Sequence, residues 1–313
     1  MAINWPDAVD EILDGDHVVA LAYVTPASGV VLLPVTNFGV RDRAAGTFTV
    51  NTSVAAWRKL DRIRSNPHVA LAFHTREHAL SPNRPEYVLL QGKARLSEPI
   101  ADYPSTMLEQ WERMEPWQET NRLWKWWLRY YALRVSIEVV VERIVVWPDL
   151  TCEGSPQVIG APLAADPPES QPPPARGTEP RINHTRAAKL ASKLPNRLLG
   201  WVGTDGFPVV VPIEVAGTEE RGILLETPVG LLPSGGRRAG LTAHWYSRGV
   251  VGQNQRKHTG WLEVESSGAK AVYAPHTQSN YRLPGSRFVY RLAAGAGTRW
   301  WIRGARRAGL VPD

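Results

Sequence analysis

Four cations fall within one short stretch of this 313-residue chain. In "WRKLDRIRSNPHVALAFHT", residues 57–75, Arg58, Lys59, Arg62 and Arg64 ride a helical pattern that breaks at Asn66-Pro67 and continues as an apolar strand. Just before it, "FTVNTS" ends in an amide and two hydroxyls, Asn51, Thr52 and Ser53. Free backbone N–H groups at a helix start favour an anion. Lys59 follows about one and a half turns later, near the face of Ser53 and Leu60. A long ammonium there reaches a phosphate as a point charge. The plainer reading stays open: Ser53 is only an N-cap and the cations a solvated face. Arg58 and Arg62 differ in angular position, so at least one of them is simply solvated.

A second basic stretch, Gly235-Gly236-Arg237-Arg238, either cradles a phosphate with backbone donors and cations or forms a hairpin tip. Seven of the eight histidines, His68, His74, His78, His184, His244, His258 and His276, are scattered. None has the spacing of a helical metal pair, so no metal is expected. His276, in the polar loop "YAPHTQSNYRLPGS", and His244 are candidates to touch a ligand. No G-x-G-x-x-G, Walker loop or serine nucleophile elbow is present.

The elements that must position these residues fall into two halves. Residues 151–180 hold many prolines and almost no apolar period, which reads as a linker between domains 1–150 and 181–313. The alternative is an extended segment lying along a surface. Each half opens with a hairpin: "HVVALAYVTPASGVVLLPVT" in one, "NRLLGWVGTDGFPVVVPIEV" in the other. Pro34-Val35 and Pro212-Ile213 sit on the second strands, and a basic segment follows each. Pro34 to Pro212 and Lys59 to Arg237 share one separation, 178 positions, which suggests duplication.

Strands are predicted near 17–24, 30–36, 46–51, 68–74, 86–96 and 134–147, and helices near 5–13, 53–65, 104–114 and 121–131. In the second half, strands are expected near 198–203, 208–215, 222–226, 241–246, 259–265 and 286–293. Many short strands with few helices indicate small antiparallel barrels: mainly β, with flanking helices. Trp111, Trp117, Trp124, Trp126 and Trp127 cluster in one segment. Trp124, Trp127 and Tyr131 share a stripe that reads as packing, while Trp126 and Tyr130 point elsewhere. Part of this surface walls a pocket for a planar ring or joins the two barrels.

Composition narrows the classes. With 43% apolar and 21% charged residues the chain is globular. Its net charge of +6 suits anionic small molecules. Cys152 stands alone, which excludes an intrachain disulfide framework. The acidic start lacks a signal-peptide layout, and no apolar run approaches spanning length. A cytoplasmic protein with neither membrane nor nucleic-acid partner is expected.

The order strand, hairpin, strand and then "NTSVAAWRKLDRIRSNPHVALAF" resembles the pyridoxamine 5'-phosphate oxidase-like split barrels, which include flavin- and deazaflavin-dependent oxidoreductases. The resemblance covers most of residues 5–147 and extends faintly over 184–303. It implies two tandem FMN-binding split β-barrels forming a pseudo-dimer within a monomeric chain. It gives the family's motif roles to Thr52, Ser53 and Lys59, and the expected cofactor-binding set is Pro34, Val35, Thr52, Ser53 and Lys59, with Arg237, Arg238 and His276 as contributions from the second half. The second half lacks the Asn-Pro and has a shorter helix, so one of two interdomain sites is expected to be dead. The implied activity is hydride transfer to or from a small organic substrate, with F420 as the alternative cofactor. A non-catalytic module holding flavin or haem is the reading from another class, since the fold alone does not decide.

Overall fold

The hairpins read from the sequence form the edges of two antiparallel sheets. The computed structural model describes residues 3–76, 83–114, 121–247, 252–268 and 270–309. The first half folds as α1 (Asp7–Gly15), β1 (Val18–Val24), β2 (Val30–Thr36), β3 (Val40–Asp42) and β4 (Thr47–Ser53). A 3-10 turn (Val54–Ala56) leads into α2 (Trp57–Ser65), then β5 (His68–Phe73) and β6 (Tyr87–Leu96). Three helices follow, α3 (Tyr103–Thr106), α4 (Leu108–Met114) and α5 (Arg122–Ala132), before β7 (Arg134–Trp147) and β8 (Gln157–Gly160).

The second half has α6 (His184–Ala191), β9 (Asn196–Val202), β10 (Pro208–Pro212), β11 (Glu214–Glu219) and β12 (Gly222–Glu226). It closes with β13 (Gly235–Trp245), β14 (Asn254–Val264), β15 (Ala271–Arg282) and α7 (Arg287–Arg307). The first sheet runs β2-β1-β5-β6-β7-β4-β3, and β8 pairs with β7; the second runs β10-β9-β13-β14-β15-β12-β11. Strand for strand the orders are the same, so each half is one split barrel, mainly β with flanking helices.

Register fixes the equivalence. Leu21 pairs with Leu33, and Leu199 with Val211, so the first hairpins match at a separation of 178. The same Leu21 pairs with Leu71, but Leu199 pairs with Leu241, a separation of 170. Eight residues are missing because β12 passes to β13 without a counterpart of α2. Lys59 and Arg237 are therefore not equivalent. The shared spacing held for the prolines and failed for the cations.

The alternation of β1 shows what joins the barrels. Val19, Leu21 and Tyr23 enter the core of barrel one. Ala20 and Ala22 face the other way, in a buried cluster that also holds Leu198 and Val210. The small side chains let the sheets approach. Polar contacts pin the contact: Tyr87 Oη donates to the Val210 carbonyl at 2.7 Å, and Gln91 Nε2 to that of Pro208 at 2.7 Å. His74 and His244, equivalent at the separation of 170, meet Nε2 to Nε2 at 2.7 Å on the local twofold.

Three expectations need correction. The segment near 286–293 is helical, inside α7, because Tyr290, Gly295, Thr298, Ile302 and Ala305 bury one face at helical spacing. Its glycines, which disguised it, are sites of close approach. A Cβ at Gly295 would stand 2.1 Å from Trp127 Nε1, and one at Gly304 would stand 2.3 Å from Trp57 Nε1. β15 went unread because Pro275 and its polar tail hid a strand. Finally, the proline-rich stretch carries β8, since Ile159 and Val158 pair with Ile144 and Val145.

Beyond β8 that stretch lies as a strap along both barrels. Arg143 Nη1 donates to the Pro162 carbonyl at 2.6 Å, and Thr204 Oγ1 to that of Asp166 at 2.8 Å. Gln171 N donates to the Gly236 carbonyl at 2.8 Å, and Gln171 Nε2 to that of Ser28 at 2.9 Å.

Candidate functional site

The four cations of the basic helix have different fates. α2 has no intrinsic reason to stay put except its buried side, Lys59, Leu60 and Ile63. Leu60 and Ile63 satisfy the core. Lys59 is the exception, a long cation that is only 7% exposed. Arg58 is exposed and lies over the Trp57 ring, 5.3 Å from its centroid. Arg64 is exposed at the helix end. Arg62 is half-buried and turns toward the Tyr23 hydroxyl and Lys257.

Lys59 makes no hydrogen bond or ion pair with any described residue. Burial, with repulsion from Lys257 and Arg134, pulls its ammonium down to about 7. Lys257, on β14 of the other barrel, is likewise lowered by burial and then by Arg62. Four cations from two barrels thus converge, and none of the groups acting on Lys59 or Lys257 is a carboxylate. Like charges held together in a low dielectric are costly unless an anion joins them.

The rim supplies further donors. Thr52 is buried at the end of β4. Arg134 Nη1 donates to Asn51 Oδ1 at 2.9 Å, and the buried Asn51 Nδ2 has no hydrogen-bond partner among the described residues. Tyr281 stands near Arg134 and Tyr131, with its hydroxyl raised by burial. Tyr246 Oη donates to the Pro34 carbonyl at 3.3 Å and lies near Tyr281. An orphaned amide donor beside unpaired ammonium groups calls for a ligand rich in acceptors.

The expected site residues divide accordingly. Thr52 and Lys59 come together with Arg62, Arg134 and Lys257. Pro34 reaches the rim through its carbonyl, whereas Val35 is in the core of barrel one. Ser53 Oγ accepts from Ala55 N at 3.2 Å, so its hydroxyl caps the 3-10 turn, the plainer of the two readings. Arg237, Arg238 and His276 are elsewhere, on the strap. Arg237 Nη1 donates to the Pro168 carbonyl at 3.0 Å, and Arg238 N to Gln171 Oε1 at 3.0 Å. His276 Nε2 lies 3.3 Å from the Thr178 carbonyl oxygen. The glycines before Arg237 begin β13 and carry the strap; they form no phosphate cradle.

Of the aromatic segment, Trp124, Trp127 and Tyr131 are half-buried and Trp126 is exposed. His78 and Trp117 lie outside the described residues. Lys257, Arg134 and Tyr281 were missed. Arg256-Lys257 directly before the strand predicted at 259–265 repeats, in the second half, the pattern of cations before a strand, and it was the available clue.

The local twofold generates a second cleft. Thr52 is matched by Thr227, Lys257 by Leu89 and Tyr281 by Trp147, as the ladder pairs require. Here lies a cavity of about 700 Å³, lined by Trp147, Cys152, Glu153 and residues 227–231, with no Lys or Arg. Burial raises the Cys152 thiol far beyond its ordinary range.

No family model matches the chain, and no curated protein matches it. Solved structures to which it is similar are pyridoxamine 5'-phosphate oxidase-like, FMN-binding and F420-type proteins, most covering about half of the chain. General stress protein 26 from Bacillus anthracis is 18% identical, over 45% of this chain and 91% of that one, with a TM-score of 0.30. An F420 reductase is 18% identical over 43% and 94%, at 0.31. A pyridoxamine 5'-phosphate oxidase-related, FMN-binding protein from Nostoc punctiforme is 12% identical over 67% and 96%, at 0.31. Scores this low bear on neither activity nor cofactor.

Proposed function

We propose that the chain is an FMN-dependent oxidoreductase acting on a small organic molecule in the cytoplasm, with the cofactor phosphate at Lys59. The single observation that carries this reading is a buried ammonium, repelled by cations of both barrels and paired with none of the described carboxylates. A phosphate monoester reverses that balance. It brings about two negative charges and several acceptors to a place rich in donors. Lys59 and Lys257 would act as point charges, Arg134 as a planar donor, and Thr52 and Asn51 Nδ2 as neutral donors.

The flavin, when bound, would supply hydride transfer. What the chain itself supplies is binding and orientation. Barrel one fixes Lys59 through the packed side of α2. Barrel two brings Lys257 on a long ladder, so the two cations are placed by rigid elements and not by loops. Tyr281 and Tyr246, both from barrel two, keep neutral hydroxyls there. The reading takes two domains, the first extended past residue 150 by β8 and the second from 181 to 313, and the pseudo-dimer as a monomer in solution.

F420 also carries a phosphate and is the close alternative. A non-catalytic flavin or haem module is the reading from another class. Titrating the purified protein with FMN, F420 and haem by absorbance and fluorescence tests these. FMN binding with turnover of a reductant is the result expected. Haem binding in place of both flavins overturns the proposal.

A further inference from the structure

The face made by α5 and α7 belongs to no part of the cleft. The two helices pack on each other, and Tyr131 Oη meets Tyr290 Oη. Trp124 meets Phe288 edge-on with ring centroids 5.7 Å apart, and Trp127 Nε1 donates to the Arg291 carbonyl at 3.1 Å. Farther along, Arg306 Cζ lies 5.9 Å from the centroid of the Tyr130 ring. α7 is docked on barrel one by Ile302 and Ala305 against Val54, Leu60 and Val135. Among the described residues, no buried apolar cluster covers its opposite side.

Two properties coincide on that side. Of eleven large apolar side chains that are exposed among the described residues, seven are on these two helices. Leu123 is 76% exposed, Trp126 56%, Phe288 60% and Trp300 69%, and Val289, Leu292 and Trp301 complete the set. Exposed apolar groups concentrated in one patch mark a contact surface. The charge is equally one-sided: α5 carries Arg122, Lys125 and Arg129, α7 carries six arginines, and neither carries a carboxylate. Without these nine, the rest of the chain has 27 cations against 30 acids and is net negative.

We propose that the α5–α7 face binds the surface of an anionic phospholipid bilayer, lying flat at the headgroup boundary. Tryptophan and arginine together suit that depth, rings toward the acyl boundary and guanidinium groups on lipid phosphates. α7 is about 32 Å long, and no described helix is long and apolar enough to cross a membrane. A nucleic acid would use the cations but leave Leu123, Val289 and Leu292 in water, so the apolar half of the patch selects lipid. This goes beyond the expectation of no membrane partner, which rested on the lack of a spanning segment.

Flotation of the full chain with vesicles tests it, using phosphatidylcholine alone and phosphatidylcholine mixed with phosphatidylglycerol. The parent should float with the mixed vesicles and stay behind with the neutral ones. Each cation near the surface contributes about fivefold. Arg303→Gln with Arg307→Gln should therefore weaken binding by roughly 25-fold, and Trp126→Ser with Trp300→Ser should abolish flotation. All four positions are on the solvent side, and unchanged thermal midpoints confirm intact folds. A parent that does not float overturns the proposal. So does flotation that survives the tryptophan changes, or tighter binding to duplex DNA than to mixed vesicles.

Discussion

The two clefts related by the local twofold have the same strands around them and opposite contents. One gathers Lys59, Arg62, Arg134 and Lys257. The other has Leu89 where Lys257 stands, Trp147 where Tyr281 stands, and a short loop in place of α2. The two copies share one scaffold, and a few side chains set which of them gathers cations. Strand order follows from ladders many residues long, whereas the electrostatics of a cleft turn on three or four side chains. A fold repeat is thus poor ground for assuming a site repeat.

The largest expected difference between the clefts is in packing. Trp147→Ala should cost about 3–5 kcal/mol of stability, read from the denaturant midpoint, because the ring is buried edge-on to Tyr87. FMN affinity should stay within about twofold of the parent's, since a cleft lined by Glu153 and by no Lys or Arg holds no phosphate. A larger loss of affinity would mean that the second cleft takes part in binding.

Next in size is the cost of burying the Lys59 ammonium. Lys59→Met should stabilise the protein free of ligand at pH 7, by on the order of 2 kcal/mol, because it removes a buried charge. The sign with pH follows. Lys59 is held near 7 when folded and titrates at 10.5 when unfolded, so the unfolded chain binds more protons between those values. Stability of the free protein should climb over that window, and Lys59→Met should flatten the climb. Calorimetric melts across pH 7–10.5 check this. A parent whose stability falls there contradicts a buried, unpaired Lys59.

The histidine pair gives an acid limb of the same sign. His74 Nδ1 faces the Ala72 carbonyl at 2.9 Å, which assigns it as the donor and leaves Nε2 to accept from His244. Burial lowers both rings, His74 to about 4 and His244 well below 6.5. Their folded values lie under the unfolded one. Their contribution is therefore complete above pH 6.5 and is lost as pH falls toward 4. His244→Gln should reduce the acid sensitivity of the melt. The smallest effect expected is that of Arg64→Ala, less than about 0.5 kcal/mol in stability, with affinity unchanged.

The first barrel was legible because its strands alternate cleanly and its helix breaks at Asn66-Pro67. Lys59 was legible because one cation on an otherwise apolar helix side stands out. The rest was hidden for physical reasons. Gly295 and Gly304 lower helix propensity in α7, yet they are there to receive two tryptophans. Arg237 and Arg238 look like ligand-binding cations in the sequence, while the structure uses them to hold the strap. Lys257 is invisible as a partner of Lys59 until the ladders bring residues some two hundred positions apart into one cleft.

The central claim is that Lys59 holds a phosphate, and FMN differs from riboflavin only by that group. The direct measurement is fluorescence titration of parent and Lys59→Ala with both flavins. A charge-assisted bond of about 1.5–3 kcal/mol makes the parent prefer FMN, and its loss weakens FMN binding by roughly tenfold to a hundredfold. Riboflavin affinity should be nearly the same in the two proteins. If Lys59→Ala keeps the parent's affinity for FMN, or loses FMN and riboflavin equally, the buried ammonium is not a phosphate site.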